Sequence, residues 1–410
     1  MKAPHLPAVA PAGPGGRPQG RRARGFSLIE LMVSIVIGLL ALGFATRLVV
    51  NSESSKQAAV GGSDAMQNGV LALFSIEREL AQAGWGLNDP LINGCDTNFY
   101  DANGYALLSA ARGGATVTPL APVVIQAVSG GSDLLSINSG TSFSNTGMVR
   151  LSGSYASGTP SLDIDRSPYG FNGTDTVVAG GDVIVVAPEA AGSARCAIAQ
   201  VSAPVEPSTP GGQNQLKIAS GGANRYNQGS LGVSYSALAT GGRVFNLGPS
   251  SNLSFHTWSL NGSFLQLRAT NLAGTTQNPA TVTDNIVAIK AQYGLDRRSS
   301  TLFNPETGMQ IDTWSSTMID ADNDGVAGSA GDYARIAAVR VAVVARSRNP
   351  EKPNGAGVCS ATADVPFTVF DGSVTVPLAV ANDPVDWKCY RYRSFEAIVP
   401  LRNSAWRPTA

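Results

Sequence analysis

Four carboxylates crowd one short stretch of the chain. In "IDADNDGVAGSAGDYARI", Asp320, Asp322 and Asp324 alternate and Gly325 follows. That is the first half of a calcium loop, in which alternate oxygens converge and a Gly makes the sharp turn. The twelfth position counted from Asp320 is Gly331, where an EF-hand carries its bidentate Glu, and Asp332 comes next. The spacing therefore fits a shorter calcium loop closed by Asp332, with the Val326 carbonyl as a further ligand. The alternative is an acidic Asx-rich turn between strands.

Other chemistry-bearing residues are sparse. Beyond residue 25 the one histidine is His256, in "LSFHTWSL", where a lone His is read as structural and cannot supply a His–His metal pair. No G-x-S-x-G elbow, Walker loop or strand-linked G-x-G-x-x-G occurs, so the chain is not read as an enzyme. Asp163 and Asp165 in "SLDIDRSP" alternate as a solvated strand face does. "WKCYRYRSF" interleaves Lys388, Arg391 and Arg393 with Trp387, Tyr390 and Tyr392, a mixture that can stack on single-stranded nucleic acid. On a strand the same alternation gives one aromatic and one basic face, the reading preferred here. With net charge +0 and 14% charged residues there is no global electrostatic case for nucleic acid as the partner.

Four cysteines, Cys95, Cys196, Cys359 and Cys389, allow two disulfides in three pairings. Cys359–Cys389 encloses the short loop and is preferred, leaving Cys95–Cys196 by elimination.

The remaining titratable oddity is Glu30, inside the apolar run from Phe26 to Thr46. Those residues would form a helix of roughly 31 Å, against a hydrocarbon core of about 30 Å. Before it, residues 1–25 hold Lys2, Arg17, Arg21, Arg22 and Arg24 with no acid, among many Pro and Gly. Such a leader has no fold of its own and holds the amino terminus on the cytoplasmic side. The apolar run is too long for a cleaved secretory signal and reads as a retained membrane helix.

The elements that follow change character along the chain. Val70, Leu73, Phe74, Leu80 and Ala81 keep helical spacing, broken on that face by Glu77, so "GVLALFSIERELAQAG" reads as an amphipathic continuation of the helix. A bend or fraying is expected near Gly61–Gly62 and a stop at Gly84. Strand signals take over from about residue 90. Asn261-Gly262 marks a hairpin. Val287, Ile289, Ala291 and Tyr293 share one strand face, as do Ala337, Val339, Val341 and Val343, with Arg340 and Arg346 opposite. The stretch from about 104 to 250 reads as a β-rich insertion. The expected segments are thus a leader at 1–25, a membrane helix at 26–47, its amphipathic continuation at 48–84, and a β-rich head at 85–410.

Gly25 followed by "FSLIELMVSIVIGLLAL" closely resembles the N-terminal signature of type IV prepilins and type II secretion pseudopilins. "LALFSIERELAQAGWGL…GC", "NIVAIKAQYGLD", "RIAAVRVAVVARS" and "YRYRSFEAIVPLRNSAW" further resemble PilW-like minor pilins. The resemblance implies an α+β, pilin-like fold, with a long N-terminal helix packed on an antiparallel sheet. It also implies that a prepilin peptidase cuts between Gly25 and Phe26 and methylates the Phe26 amine. The implied partners are other minor pilins, the major pilin, the inner-membrane assembly machinery and a tip adhesin. The implied role is to prime pilus assembly near the tip, from an inner-membrane position with the head outside. A secretion pseudopilin, or a tip module binding surface ligand or DNA, are the alternatives.

In that setting Glu30 acquires a use. Cleavage creates a positive amine at Phe26, and helices staggered in a filament place Glu30 of one beside that amine of another. The pairing offsets the desolvation of both charges and fixes register.

Overall fold

The computed structural model describes residue 25 and residues 27–141, 149–174, 180–236 and 241–405. The chain divides into two compact units, residues 1–56 and 57–410. Helix α1, Leu28–Leu80, contributes residues to both.

In the first unit, Leu28–Val50 forms a 23-residue apolar stretch of α1 with none of it buried within the protein. Its length is roughly 35 Å, enough to cross a bilayer with some tilt. The span reaches beyond Thr46 because Leu48, Val49 and Val50 continue the apolar run past Arg47, whose long side chain can reach the interface. The N-terminal apolar helix and a mostly β remainder make the chain α+β.

In the second unit the helix continues through Gly61 and Gly62 without a break, contrary to the expected bend. Its buried positions are Gly61, Ala65, Gly69, Ala72, Ile76 and Leu80, a run of steps of three and four that forms one face. Val70 and Phe74, expected on that face, are exposed instead. The reason is the close approach of a sheet. A methyl group on Gly69 would lie 2.1 Å from the Phe395 ring, and one on Gly61 3.1 Å from Ser347 Cβ. Small residues define the packed face from Gly61 to Ala72, and Ile76 and Leu80 continue it into the core.

That sheet is antiparallel, with strands in the order Thr313–Ser315, Ile286–Leu295, Ile336–Arg346 and Tyr392–Pro400. Ile289, Ala291, Tyr293, Val339, Val341 and Val343 share a core with Ala72, Ile76 and Leu80. Val287 does not face that core as expected. A bulge between Ile286 and Ala288 turns Val287 toward a second core with Val344, Phe370 and Val376. Both faces of the sheet are therefore covered.

A five-stranded antiparallel sheet completes the first core, in the order Ala280–Thr283, Phe264–Ala269, Ser254–Asn261, Leu134–Ser139 and Val123–Gln126. Its hairpin turns at Gly262 and Ser263, one residue beyond the expected Asn261-Gly262, because Asn261 still pairs with Phe264; Gly262 has φ +60°. A six-stranded sheet joins Cys95–Asn98, parallel, to Cys196–Gln200, which pairs antiparallel with Asp182–Pro188. Residues 104–250 contribute strands to both of these sheets and form a further three-stranded sheet of Ala203–Val205, Asn214–Lys217 and Ser161–Ile164. The disulfide Cys95–Cys196 links the parallel pair, with Cα atoms 6.0 Å apart. Cys359–Cys389 has Cα atoms 4.8 Å apart.

Candidate functional site

The N-terminal site begins at Gly25, which is exposed and has no atom within 4 Å of where a side chain would start. Phe26, the expected new terminus, and the leader at 1–24 lie outside the described residues. Helix α1 opens with Leu31 N–H donating to the Ser27 carbonyl at 3.1 Å. Ser27 and Glu30 stand at the S-x-x-E spacing of a capping box, a signal that bears on why a carboxylate is tolerated here. Glu30 lies in the first turn, where the helix dipole favours negative charge. Its side chain is exposed, and it is the one acid between Leu28 and Val50.

The acidic loop brings together three of its four expected members. Oxygens of Asp320, Asp322 and Asp324 lie within 4.8 Å of one another. The turn beneath them is held by backbone donors: Gly325 N–H to Asp320 at 3.0 Å and Val326 N–H to Asp324 at 2.7 Å. Gly325, with φ +89°, allows the reversal. Burial, together with the charges of Asp324 and Asp320, raises the Asp322 carboxyl above its ordinary value. Asp332 plays another part. Its carboxylate accepts from Ala321, Asp322, Gly328 and Ser329 N–H groups, and with Ser329 it forms the capping box of the short helix Ala330–Tyr333. Those four donors occupy its oxygens, so the loop is not closed by Asp332 in the way the spacing implied.

A third constellation was not foreseen. Glu79, near the end of α1, accepts from His256 Nδ1 at 2.9 Å and from Trp258 Nε1 at 2.7 Å. The His256 Nε2 atom faces Asn271 Oδ1 at 2.7 Å. The sequence shows only that Glu79 directly precedes Leu80, which packs in the core; nothing local points to its partners. Burial disfavours the charged imidazole, but the hydrogen bond and charge of Glu79 outweigh it, and the His256 pKa is raised. His256 is therefore structural, a clasp between helix and sheet.

The clasp has a pH signature. A His whose folded pKa lies above its unfolded value of about 6.5 stabilises fully below that value and loses the contribution as pH rises through the raised one. The urea midpoint is expected to fall between pH 6 and pH 9 by more in the native chain than in His256→Gln. Equal pH dependence in both would contradict the clasp.

The other candidates resolve as surface or packing. Leu162 and Ile164 are buried while Asp163 and Asp165 are exposed, pairing with Gln215 and Arg166. The basic-aromatic stretch is not one strand as expected: Trp387–Cys389 forms a 3-10 turn and the strand begins at Tyr392. Lys388 pairs with Asp364 at 2.8 Å and Arg391 with Glu351. Tyr390 is buried under the Arg346 guanidinium. Lys388 and Arg391 are thus matched by acids, which weakens their attraction for phosphate, while Arg393 is exposed.

Comparison with known proteins places both ends of the chain. Residues 20–46 match the prokaryotic N-terminal methylation motif, and residues 258–403 match the family of type IV pilus-assembly protein W. No curated protein and no solved structure matches the chain. The first match covers the leader end, Gly25 and the greater part of the exposed apolar span. The second covers the strands that carry Trp258, the helix-facing sheet and the closing strand. In its methylation motif and its assembly region, the chain is similar to PilW-like type IV pilins.

Proposed function

We propose that this chain is a minor pilin that primes assembly of a type IV pilus and stays at or near its tip. In this reading it is first a single-pass inner-membrane protein, with its N-terminus cytoplasmic and its head periplasmic. A prepilin peptidase cuts between Gly25 and Phe26 and methylates the Phe26 amine. Glu30 then pairs with the amine of a neighbouring subunit as the chain leaves the bilayer. Other minor pilins, the major pilin and the inner-membrane machinery are its partners, and the head is a platform for a tip adhesin. The observation that carries this is the lone carboxylate of Glu30 in the first turn of a fully exposed, membrane-length helix. The role is assembly, not catalysis. A deletion strain separates it from a secretion pseudopilin: loss of surface pili and twitching with normal enzyme secretion supports the proposal, and the converse contradicts it.

We also propose that the acidic loop takes calcium through Asp320, Asp322 and Asp324, without Asp332. Converging carboxylates and a raised Asp322 carboxyl are what a hard cation would relieve. Calcium at about ten times its Kd would stabilise the fold by about 1.4 kcal/mol, raising Tm by about 2 °C. Asp322→Asn is expected to abolish the shift. A titration with no calcium heat and no shift would overturn the assignment.

A further inference from the structure

At the C-terminal end of α1 the chain forms a cleft of about 530 Å³, lined by Gln82, Trp85, Asn252, Ser254, Asn271 and Asn403 among others. Its volume falls in the range of roughly 300–1,000 Å³ typical of ligand clefts. None of the residues lining it is charged. The turn that carries Trp85 is fixed to the strand Leu134–Ser139 and the residue after it: Gly84 N–H donates to Asn138 at 2.9 Å and Gly140 N–H to the Trp85 carbonyl at 2.7 Å. The Trp85 side chain nonetheless remains 47% exposed.

The amides around it are oriented. Asn403 Nδ2 donates to the Gln82 and Ala83 carbonyls, both at 3.1 Å, which directs its oxygen to other uses. Asn271 and Asn252 use their oxygens toward His256 and Ser251, which leaves their NH2 groups as donors. The cleft thus offers amide donors, an amide acceptor and hydroxyls beside an exposed indole.

We propose that this cleft binds a neutral oligosaccharide. Vicinal sugar hydroxyls each donate and accept, which matches paired amides, and the C–H face of a pyranose packs on an indole. Phosphate, nucleic acid and acidic glycans would need cations that the cleft lacks. An apolar peptide would need a larger greasy floor than Trp85 and Ala81 supply. The inference is independent of whether the chain enters a pilus.

The test uses the full chain in a zwitterionic detergent without a sugar headgroup, on an array of neutral and acidic glycans. The best neutral hit is then titrated by saturation-transfer NMR. Saturable binding to a neutral oligosaccharide is expected, weakened about tenfold or more by Trp85→Ala and several-fold by Asn252→Ala, and largely kept in Trp85→Phe. Unchanged thermal melts would show that the variants fold, and Asn252→Ala carries the test if Trp85→Ala does not. Binding to acidic glycans or peptides alone, no binding at all, or binding indifferent to the folded variants would overturn the proposal.

Discussion

Glu30→Ala is expected to reduce the chain's recovery in sheared pili by about a hundredfold, with cleavage after Gly25 unaffected. The magnitude comes from breaking a buried ion pair, about 3–5 kcal/mol when one partner is left unmatched. In the bilayer the carboxylate is a cost, up to about 2.5–3.5 kcal/mol if drawn to the centre, and less near the helix start. Removing it therefore stabilises the membrane state and destabilises the filament state, and both effects hold the variant in the membrane. Glu30→Gln keeps the hydrogen-bonding shape without the charge and is expected to fall between the two. Quantitative blotting of pili and membranes, with the variant as the only copy, reads the partition. Normal incorporation of Glu30→Ala would contradict the pairing.

Gly69→Val is expected to destabilise the head by about 2–3 kcal/mol, near the upper end for overpacking. A side chain at this point would begin 2.1 Å from Phe395 Cε2 and 2.3 Å from Cδ2, so the ring must leave or the helix must lift. Lifting the helix would disturb Ala72, Ile76 and Leu80 where they meet the sheet. Gly is also a weaker helix former than Val by a few tenths of a kcal/mol, so a clash-free site would gain slightly in stability on substitution. The sign of the change thus reports the close approach. Adding Phe395→Ala should recover part of the loss in a double-mutant cycle. Chemical denaturation that shows Gly69→Val at or above native stability would mean the helix does not pack here as described.

The two matched ends were legible because their signals are local. The methylation motif at 20–46, the apolar span, and the hairpin that turns next to Asn261 each depend on residues close in sequence. The packed face of α1 was misread for a physical reason. A search for large apolar residues selects Val70 and Phe74, whereas the sheet approaches closely enough to need Gly61, Ala65 and Gly69. Gly61 and Gly62 spell a bend by their low helix propensity, which hides the close packing of Gly61 on Ser347. Position counting makes Asp332 a ligand, but Ser329 three residues earlier already spells a capping box with it. The middle of the chain was not legible because its pairings are remote. Cys95–Asn98 finds its parallel partner about a hundred residues on, and Leu134–Ser139 pairs with Ser254–Asn261. No local periodicity encodes such partnerships. The Glu79–His256–Trp258 clasp was missed likewise, because it joins α1 to a strand far along the chain.

The central claim is that this chain is a prepilin matured at Gly25–Phe26 and then carried into a pilus. Mass spectrometry of the chain recovered from purified pili tests it most directly. The account predicts an N-terminal peptide that begins at Phe26 and bears one methyl group on its amine. An intact leader, a cut elsewhere, an unmethylated Phe26, or absence of the chain from the pili would contradict it.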